Sequence, residues 1–414
     1  MFDRVSVRMY HVGFGDCFLV RFWSGATAFK VLVDCGSITE GAAQVANVAQ
    51  DVIELCTEED GDSIIDLVVA THRHKDHVGG FSNPAWGEVS VGEVWMPWTE
   101  DPKDQEAIRI RNRQSSLALS LVGGLTDDEP MAGQPDHASS AVSKMRAERG
   151  MAINALTNER AMATLHEGFL GDPPRRFLPE PDGFNQIRTF PSAPGLKIHV
   201  LGPPRTERAI ASMDPPTGKG YFAVLGPGGQ AATVPAFGSR WQISAEQFAA
   251  EARFDSFRND DRKKIDENAE QPFGELAAAL DSAVNNTSLI LLFEVAESFL
   301  LFSGDAQWGA WNAMLTDPVA RALLKRTTFY KVGHHGSHNA TPKEFIEELM
   351  PVGGTALFST CSVRQWPNIP REPLVKAIES KAARHARSDQ EAAAAAAGFE
   401  VTAGLCIDWE AGLG

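Results

Sequence analysis

The ten residues Thr71-His72-Arg73-His74-Lys75-Asp76-His77-Val78-Gly79-Gly80 decide how this chain reads. They set three histidines and a carboxylate into six positions, directly after the run Ser63–Ala70, SIIDLVVA. That run is short, β-branched and apolar, the composition of a buried strand, so the histidines begin where the strand ends. In extended chain, side chains two residues apart point the same way, and His72 and His74 can therefore grip one ion together. Asp76 and His77 lie past the strand end, where a turn toward Gly79-Gly80 can aim them at a second ion. Neutral imidazole and carboxylate are ligands for zinc, and for manganese or iron as the oxygen share grows. The competing reading is solvated or core histidines beside a turn. With 11 histidines in 414 residues, this spacing arises by chance with a probability of roughly 10⁻³ or less, and the run reads as a metal motif.

The rest of the chain bounds what such a motif can serve. Hydrophobic content of 43% with 22% charged residues is that of a globular protein. No apolar run approaches the roughly 18 residues of a membrane span. Met1–Val5 lacks the basic start and apolar core of a signal peptide, so a cytoplasmic protein that engages no membrane is expected. Cys17, Cys35, Cys56, Cys361 and Cys406 are scattered and form no CxxC pair, which argues against a disulfide framework and a cysteine zinc site. A formal charge of −16 weighs against a protein that coats nucleic acid non-specifically. It does not exclude an enzyme with a local basic cleft, where bound metal ions supply positive charge.

Taken in order, residues 5–36 predict a hairpin and a third strand. Val5–Val12 alternates, Gly13-Phe14-Gly15-Asp16 turns, and Phe29–Gly36 ends in Asp34, a residue that equally suits a turn before glycine. Apolar residues at helical spacing predict a helix over 40–58, and Val89–Pro97 predicts a strand. Leu117–Val122 and 141–168 read as helices, 173–183 as loop, and 196–204 as strand. A Gly/Pro-rich passage at 214–239 reads as loop, and 244–284 as helical segments broken by charges. His137, His166 and His199 read as ordinary surface or strand residues. Strand pattern returns over 285–305, ending in Asp305. A helix is expected over 317–325, and Thr328–Gly333 leads straight into His334-His335-Gly336-Ser337-His338. A strand at 355–360, one Ala-rich helix from Glu372 to Ala397, and a closing strand to Trp409 complete the chain.

Strands thus end in possible ligands four times: at Asp34, at the histidine cluster, at Asp305 and at His334-His335. Such recurrence in one chain suggests strand ends that converge on a two-metal centre. Two ions about 3.5–4 Å apart share a carboxylate and a bridging hydroxide, a nucleophile at neutral pH.

These segments, in this order, resemble the metallo-β-lactamase fold superfamily, in the branch like the hydrolase domain of the DNA-uptake channel protein ComEC. The resemblance rests on Val12–Val20, Leu32–Ser37, Thr71–Gly80, Asn286–Leu291, Leu301–Asp305 and Lys331–Ser337. It covers residues 5–98 and 196–375 in outline. It implies an α/β fold, an αββα four-layer sandwich in one domain over 1–414, with helical insertions at about 100–195 and 205–284. By motif roles, His72 and His74 bind the first metal. Asp76 and His77 bind the second together with one of the pair His334 and His335, His334 being favoured as nearer the strand. Asp305 bridges both ions and acts in catalysis with Asp76 and His77, while Asp34 orients the histidine loop from behind. Many members carry a histidine before the bridging aspartate. This chain has Asn285-Asn286-Thr287-Ser288 there, which leaves the first ion weakly held, with an extra water or with an Asn such as Asn286. Zn²⁺ is the expected pair of ions, with Mn²⁺ as the second candidate.

The expected activity is hydrolysis of a phosphodiester, in nucleic acid or a nucleotide, through a metal-bound hydroxide. Ser337 and His338 are candidates for substrate contact and equally for a turn after a strand. Arg109, Arg111 and Arg113 alternate and read better as a solvated face than as a phosphate site. The alternatives are hydrolysis of a lactam, lactone or thioester, and a metal-binding effector component whose insertions engage a protein partner.

Overall fold

The computed structural model describes residues 1–57, 64–124, 158–220 and 283–413, less the single positions 182, 184, 211, 213, 217, 364 and 365. His137, most of the helix expected over 141–168, the loop beyond 220 and the helical stretch 244–282 lie outside the described residues. The chain divides into two compact units. One comprises Met1–Arg111, Thr157–Val224 and Ser282–Gly414. The other comprises Asn112–Leu156 and Leu225–Asp281, and is described only over 112–124, within the helix Gln105–Gly124.

The first unit is built on two mixed sheets. In chain order the strands are β1 Arg4–Tyr10, β2 Cys17–Ser24, β3 Thr27–Cys35, β4 Ile64–Val69, β5 Ser90–Pro97, β6 Arg175–Leu178, β7 Gln186–Thr189 and β8 Leu196–Gly202. They continue with β9 Ile290–Val295, β10 Ser298–Phe302, β11 Phe329–Lys331, β12 Thr355–Phe358, β13 Arg384–Arg387, β14 Glu400–Thr402 and β15 Cys406–Gly412. The first sheet runs β14-β15-β1-β2-β3-β4-β5-β6, antiparallel as far as β3 and parallel from there on. The second runs β13-β12-β11-β10-β9-β8-β7, with its parallel pairs at the β10 to β13 end.

Strand alternation explains why the sheets share one core. In β2, Phe18, Val20 and Phe22 face a cluster that also takes Leu291, Phe293 and Val295 of β9 and Leu300 and Phe302 of β10. The rings of Phe18 and Phe302 stand 5.7 Å apart, and those of Phe22 and Phe293 5.8 Å apart. The intervening residues face outward and are buried as well. Cys17, Leu19 and Leu32 meet Val48, Ala49 and Val52 of helix α1, Ala42–Cys56. Leu292, Phe299 and Leu301 meet residues of the helices Trp308–Thr316, Pro318–Leu324 and Glu372–Lys381. Both faces of the central strands are therefore apolar, and each fully buried phenylalanine contributes about 1.5–3 kcal/mol.

Four local expectations change. The segment read as loop at 173–183 holds β6, which pairs with the edge of β5 between prolines that disguise it. The strand expected from Asn285 begins at Ile290, because Asn-Asn-Thr-Ser forms turns. The helix Trp308–Thr316 lies where none was expected. The single Ala-rich helix is two, with β13 between them. Arg384–Arg387 pairs parallel with β12 and buries Ala386 in the shared core, so tertiary pairing overrides alanine's helix preference. Among the described residues no helix is long and apolar enough to cross a membrane.

Candidate metal centre

The turn after β4 shapes the histidine motif. Thr71 donates twice to Asp34, from its backbone N–H to Oδ1 and from its hydroxyl to Oδ2, each at 2.7 Å. Asp34 closes β3 with a left-handed φ of 58°, a strained value for a residue other than glycine. After His74 the chain makes a single helical turn, α2, Lys75–Val78, which delivers Asp76 and His77 side by side. This turn packs against two glycines. A Cβ on Gly36 would lie 2.5 Å from the backbone of Asp76 and His77, and one on Gly15 2.7 Å from the Asp76 carbonyl. That approach lets the Asp16 N–H reach the Asp76 carbonyl at 2.8 Å.

From the second sheet come Asp305, just past β10, and the pair His334-His335, just past β11. His334 and His335 both adopt left-handed φ values, 48° and 53°. Two such residues in succession are costly, and the turn reverses what strand spacing alone would suggest. His335 swings inward and is fully buried, while His334 keeps 15% of its side chain exposed.

Asp76, His77, Asp305 and His335 are all buried and each brings one ligand atom to within 4.8 Å of the other three. The separations are 3.2 Å from His77 Nε2 to Asp305 Oδ2, 3.3 Å from His335 Nε2 to Asp76 Oδ2, 3.6 Å from His335 Nε2 to Asp305 Oδ2 and 4.0 Å from His77 Nε2 to Asp76 Oδ2. Four ligands about 2.0–2.2 Å from a tetrahedral zinc stand about 3.3–3.6 Å apart, so the group fits a divalent ion. The far sides of the imidazoles are already committed. His77 Nδ1 meets Asp34 Oδ2 at 2.8 Å, and His335 Nδ1 donates to the Ser359 carbonyl at 2.8 Å. Each Nε2 is thereby turned toward the cluster.

His72 and His74 form a second, adjoining group. His72 Nε2 and His74 Nδ1 face one another at 3.1 Å, and the His72 and His77 rings lie 4.1 Å apart. Two imidazole nitrogens at that separation suit one cation. Ser288 supports them, with its hydroxyl 3.2 Å from His72 Nδ1 while accepting the Asp305 N–H at 3.1 Å.

Burial pushes His72 well below the ordinary imidazole value, and holds His74 and His334 at about 4. These rings are neutral, as ligands must be. Burial also opposes charging of His77 and His335, but nearby carboxylates, Asp305 foremost, outweigh it and raise both. Asp76 and Asp305 lie far below the carboxylate range: burial works against their charge, and His335 and His77 more than offset it. Carboxylates here draw in positive charge, whether as imidazolium or as a bound cation.

His72, His74, Asp76, His77, Asp305 and Asp34 therefore assemble as one site, and His335 rather than His334 stands in the four-group cluster. His334 Nε2 is 3.9 Å from Asp305 Oδ2 and 3.3 Å from Asn285 Nδ2. Asn286 is turned elsewhere: its amide donates to the Ile210 and Ser212 carbonyls and accepts from the Gln307 N–H. Ser337 is buried and bonds the His334 carbonyl through its N–H. His338 lies 3.4 Å from Asp214. Arg109, Arg111 and Arg113 sit on a helix, where Arg111 reaches the Thr99 and Asp101 carbonyls. Sequence spacing carries no sign of Lys331 and leaves Asp16 ambiguous, and of the pair Asn285-Asn286 it is Asn285, not the Asn286 singled out from sequence, that meets His334.

No family model matches this chain. Among curated proteins, ComE operon protein 3 of Bacillus subtilis (strain 168) is 31% identical over 107 residues. That stretch is 26% of this chain and 13% of the relative, so the chain matches a small part of that protein's length.

Proposed function

We propose that this protein is a metal-dependent hydrolase of the metallo-β-lactamase fold superfamily, in its ComEC-like branch, and cleaves phosphodiesters in nucleic acid or nucleotides. The observation that carries the reading is the buried quartet Asp76, His77, Asp305 and His335, whose ligand atoms lie within 4.8 Å of one another. Two sheets around one core, with helices on their outer faces, support the four-layer αββα arrangement. The partial likeness to ComE operon protein 3 supports the branch.

In this reading His72 and His74 hold one cation, and Asp76, His77 and His335 the other. Asp305, within reach of His77 and His335, would be the carboxylate shared between the two. Imidazole and carboxylate without cysteine favour zinc, with manganese as the second candidate. Divalent cations held here would supply a nucleophile from water at neutral pH and offset charge on phosphoryl oxygens. Asp34 and the Ser359 carbonyl fix which nitrogen of His77 and His335 faces inward. His334, the most open imidazole of the site, can hydrogen-bond a substrate oxygen through a ring N–H, and because burial keeps the ring neutral, water is the better donor of a proton to the leaving oxygen.

The test joins metal analysis to a panel of phosphodiester and ester substrates. Purified protein should carry one to two transition-metal ions per chain. Asp305→Asn, nearly isosteric, should lower phosphodiesterase turnover by about a hundredfold or more with far-UV circular dichroism unchanged. A folded Asp305→Asn protein that keeps wild-type turnover would rule this function out.

A further inference from the structure

Lys331 ends β11 and is almost completely buried, 2% exposed. Its ammonium pairs with the Asp16 carboxylate and lies 3.7 Å from Asp305 Oδ1. Asp16 is equally buried, and its oxygens stand 3.6 Å from His77 Nδ1 and 3.7 Å from His335 Nδ1. Asp305 is divided by this contact. Oδ1 is held by the ammonium and by the His334 N–H at 3.1 Å, whereas Oδ2 faces His77, His335 and His334. Asp16, Asp34 and His77 form a second tight group of potential ligand atoms behind the quartet, and the lysine lies against its Asp16 corner.

We propose that Lys331 is a built-in counter-cation and positioning residue of the metal centre. It neutralises Asp16 and Asp305 before any ion binds and holds Asp305 so that Oδ2 alone is presented. The inference rests on the reading of the quartet as a cation site. A buried carboxylate without a compensating charge is strongly unfavourable, and four carboxylates, Asp16, Asp34, Asp76 and Asp305, are buried here together. Divalent ions would satisfy them in the loaded protein, and Lys331 carries part of that load when ions are absent. Its charge must also repel the ions it prepares for.

This balance sets Lys331 apart from a residue that only packs. Lys331→Met keeps length and removes charge. In chelator its melting temperature should fall by roughly 5 °C or more, and with Zn²⁺ by less than half as much. The same difference read as binding means that the variant takes Zn²⁺ more tightly, about tenfold in competition with a chelating dye, since widening the gap between loaded and empty protein by about 1.4 kcal/mol is a factor of ten. Adding Asp16→Asn to Lys331→Met removes both charges and should recover much of the loss in chelator. Equal falls with and without metal, or weaker Zn²⁺ binding by Lys331→Met, would overturn the proposal. Should Lys331→Met fold only when expressed with Zn²⁺, the proposal stands, and failure to fold even with Zn²⁺ would also overturn it. Wild-type protein that binds no metal would instead defeat the underlying reading of the site.

Discussion

Asp34 carries three hydrogen bonds on one carboxylate, two from Thr71 and one shared with His77 Nδ1. Burial leaves Asp34 with a raised proton affinity that the contacts with His77 and Thr71 offset only in part; those same contacts tie the histidine loop to the end of β3. Such groups behind a ligand typically contribute 10–100-fold in metal affinity. Thr71→Val removes the hydroxyl donor and spares the backbone one. Zn²⁺ affinity should fall about tenfold, measured by competition with a chelator, while the melting temperature in chelator moves little; unchanged affinity would show that His77 needs no such anchor. Single residues were legible where the signal was local. Three histidines and an aspartate in six positions declared themselves. The choice between His334 and His335 did not, because two successive left-handed residues reverse the facing that proximity to the strand implies. Asn285 and Asn286 are likewise adjacent and alike, and only the turn they occupy decides that Asn286 bonds Ile210 and Ser212. The contact of Lys331 with Asp16 spans most of the chain and leaves no pattern in sequence.

At the scale of elements, alternation made most strands readable, and the exceptions share a cause. β6 and β13 are short, lie at or near sheet edges, and carry arginines, so neither offers an apolar run; partner strands rather than composition create them. The pair β8 and β9 shows how polar contacts also register strands. Glu294 meets Lys197 at 3.1 Å and His199 at 2.6 Å across the ladder. Burial raises the proton affinity of Glu294, but these hydrogen bonds outweigh it and bring its pKa below the ordinary 4.5. The folded state thus binds the proton less readily than the unfolded chain does. The stability Glu294 contributes is complete above pH 4.5 and is lost as pH falls through the lower folded value. Glu294→Gln should therefore melt below wild type at pH 7, with the difference shrinking toward pH 3. A difference that stays constant across this range would mean that the carboxylate charge plays no part.

Across the whole first unit, the centre draws on both sheets at once. His72 to His77 come directly after β4 of the first sheet, whereas Asp305, His334 and His335 come after β10 and β11 of the second. A cation held by His77 and Asp305 would therefore cross-link the two sheets at one end of their shared core, where polar side chains replace the phenylalanines found further in. Metal that binds only the folded chain adds about 2.7 kcal/mol when present at a hundred times its dissociation constant. Because the remainder of the core is held by apolar contact, removing metal should loosen that end without unfolding the unit. In a chelator the melting temperature should fall and recover on adding Zn²⁺ or Mn²⁺. Amide hydrogen exchange should rise over 71–80, 303–307 and 333–339. In β1 and its partner β15, which carry none of the ligands, it should remain as in loaded protein. A uniform rise throughout the sheets would mean that metal supports global folding rather than this junction, and no rise at all would remove the cation from the structural account.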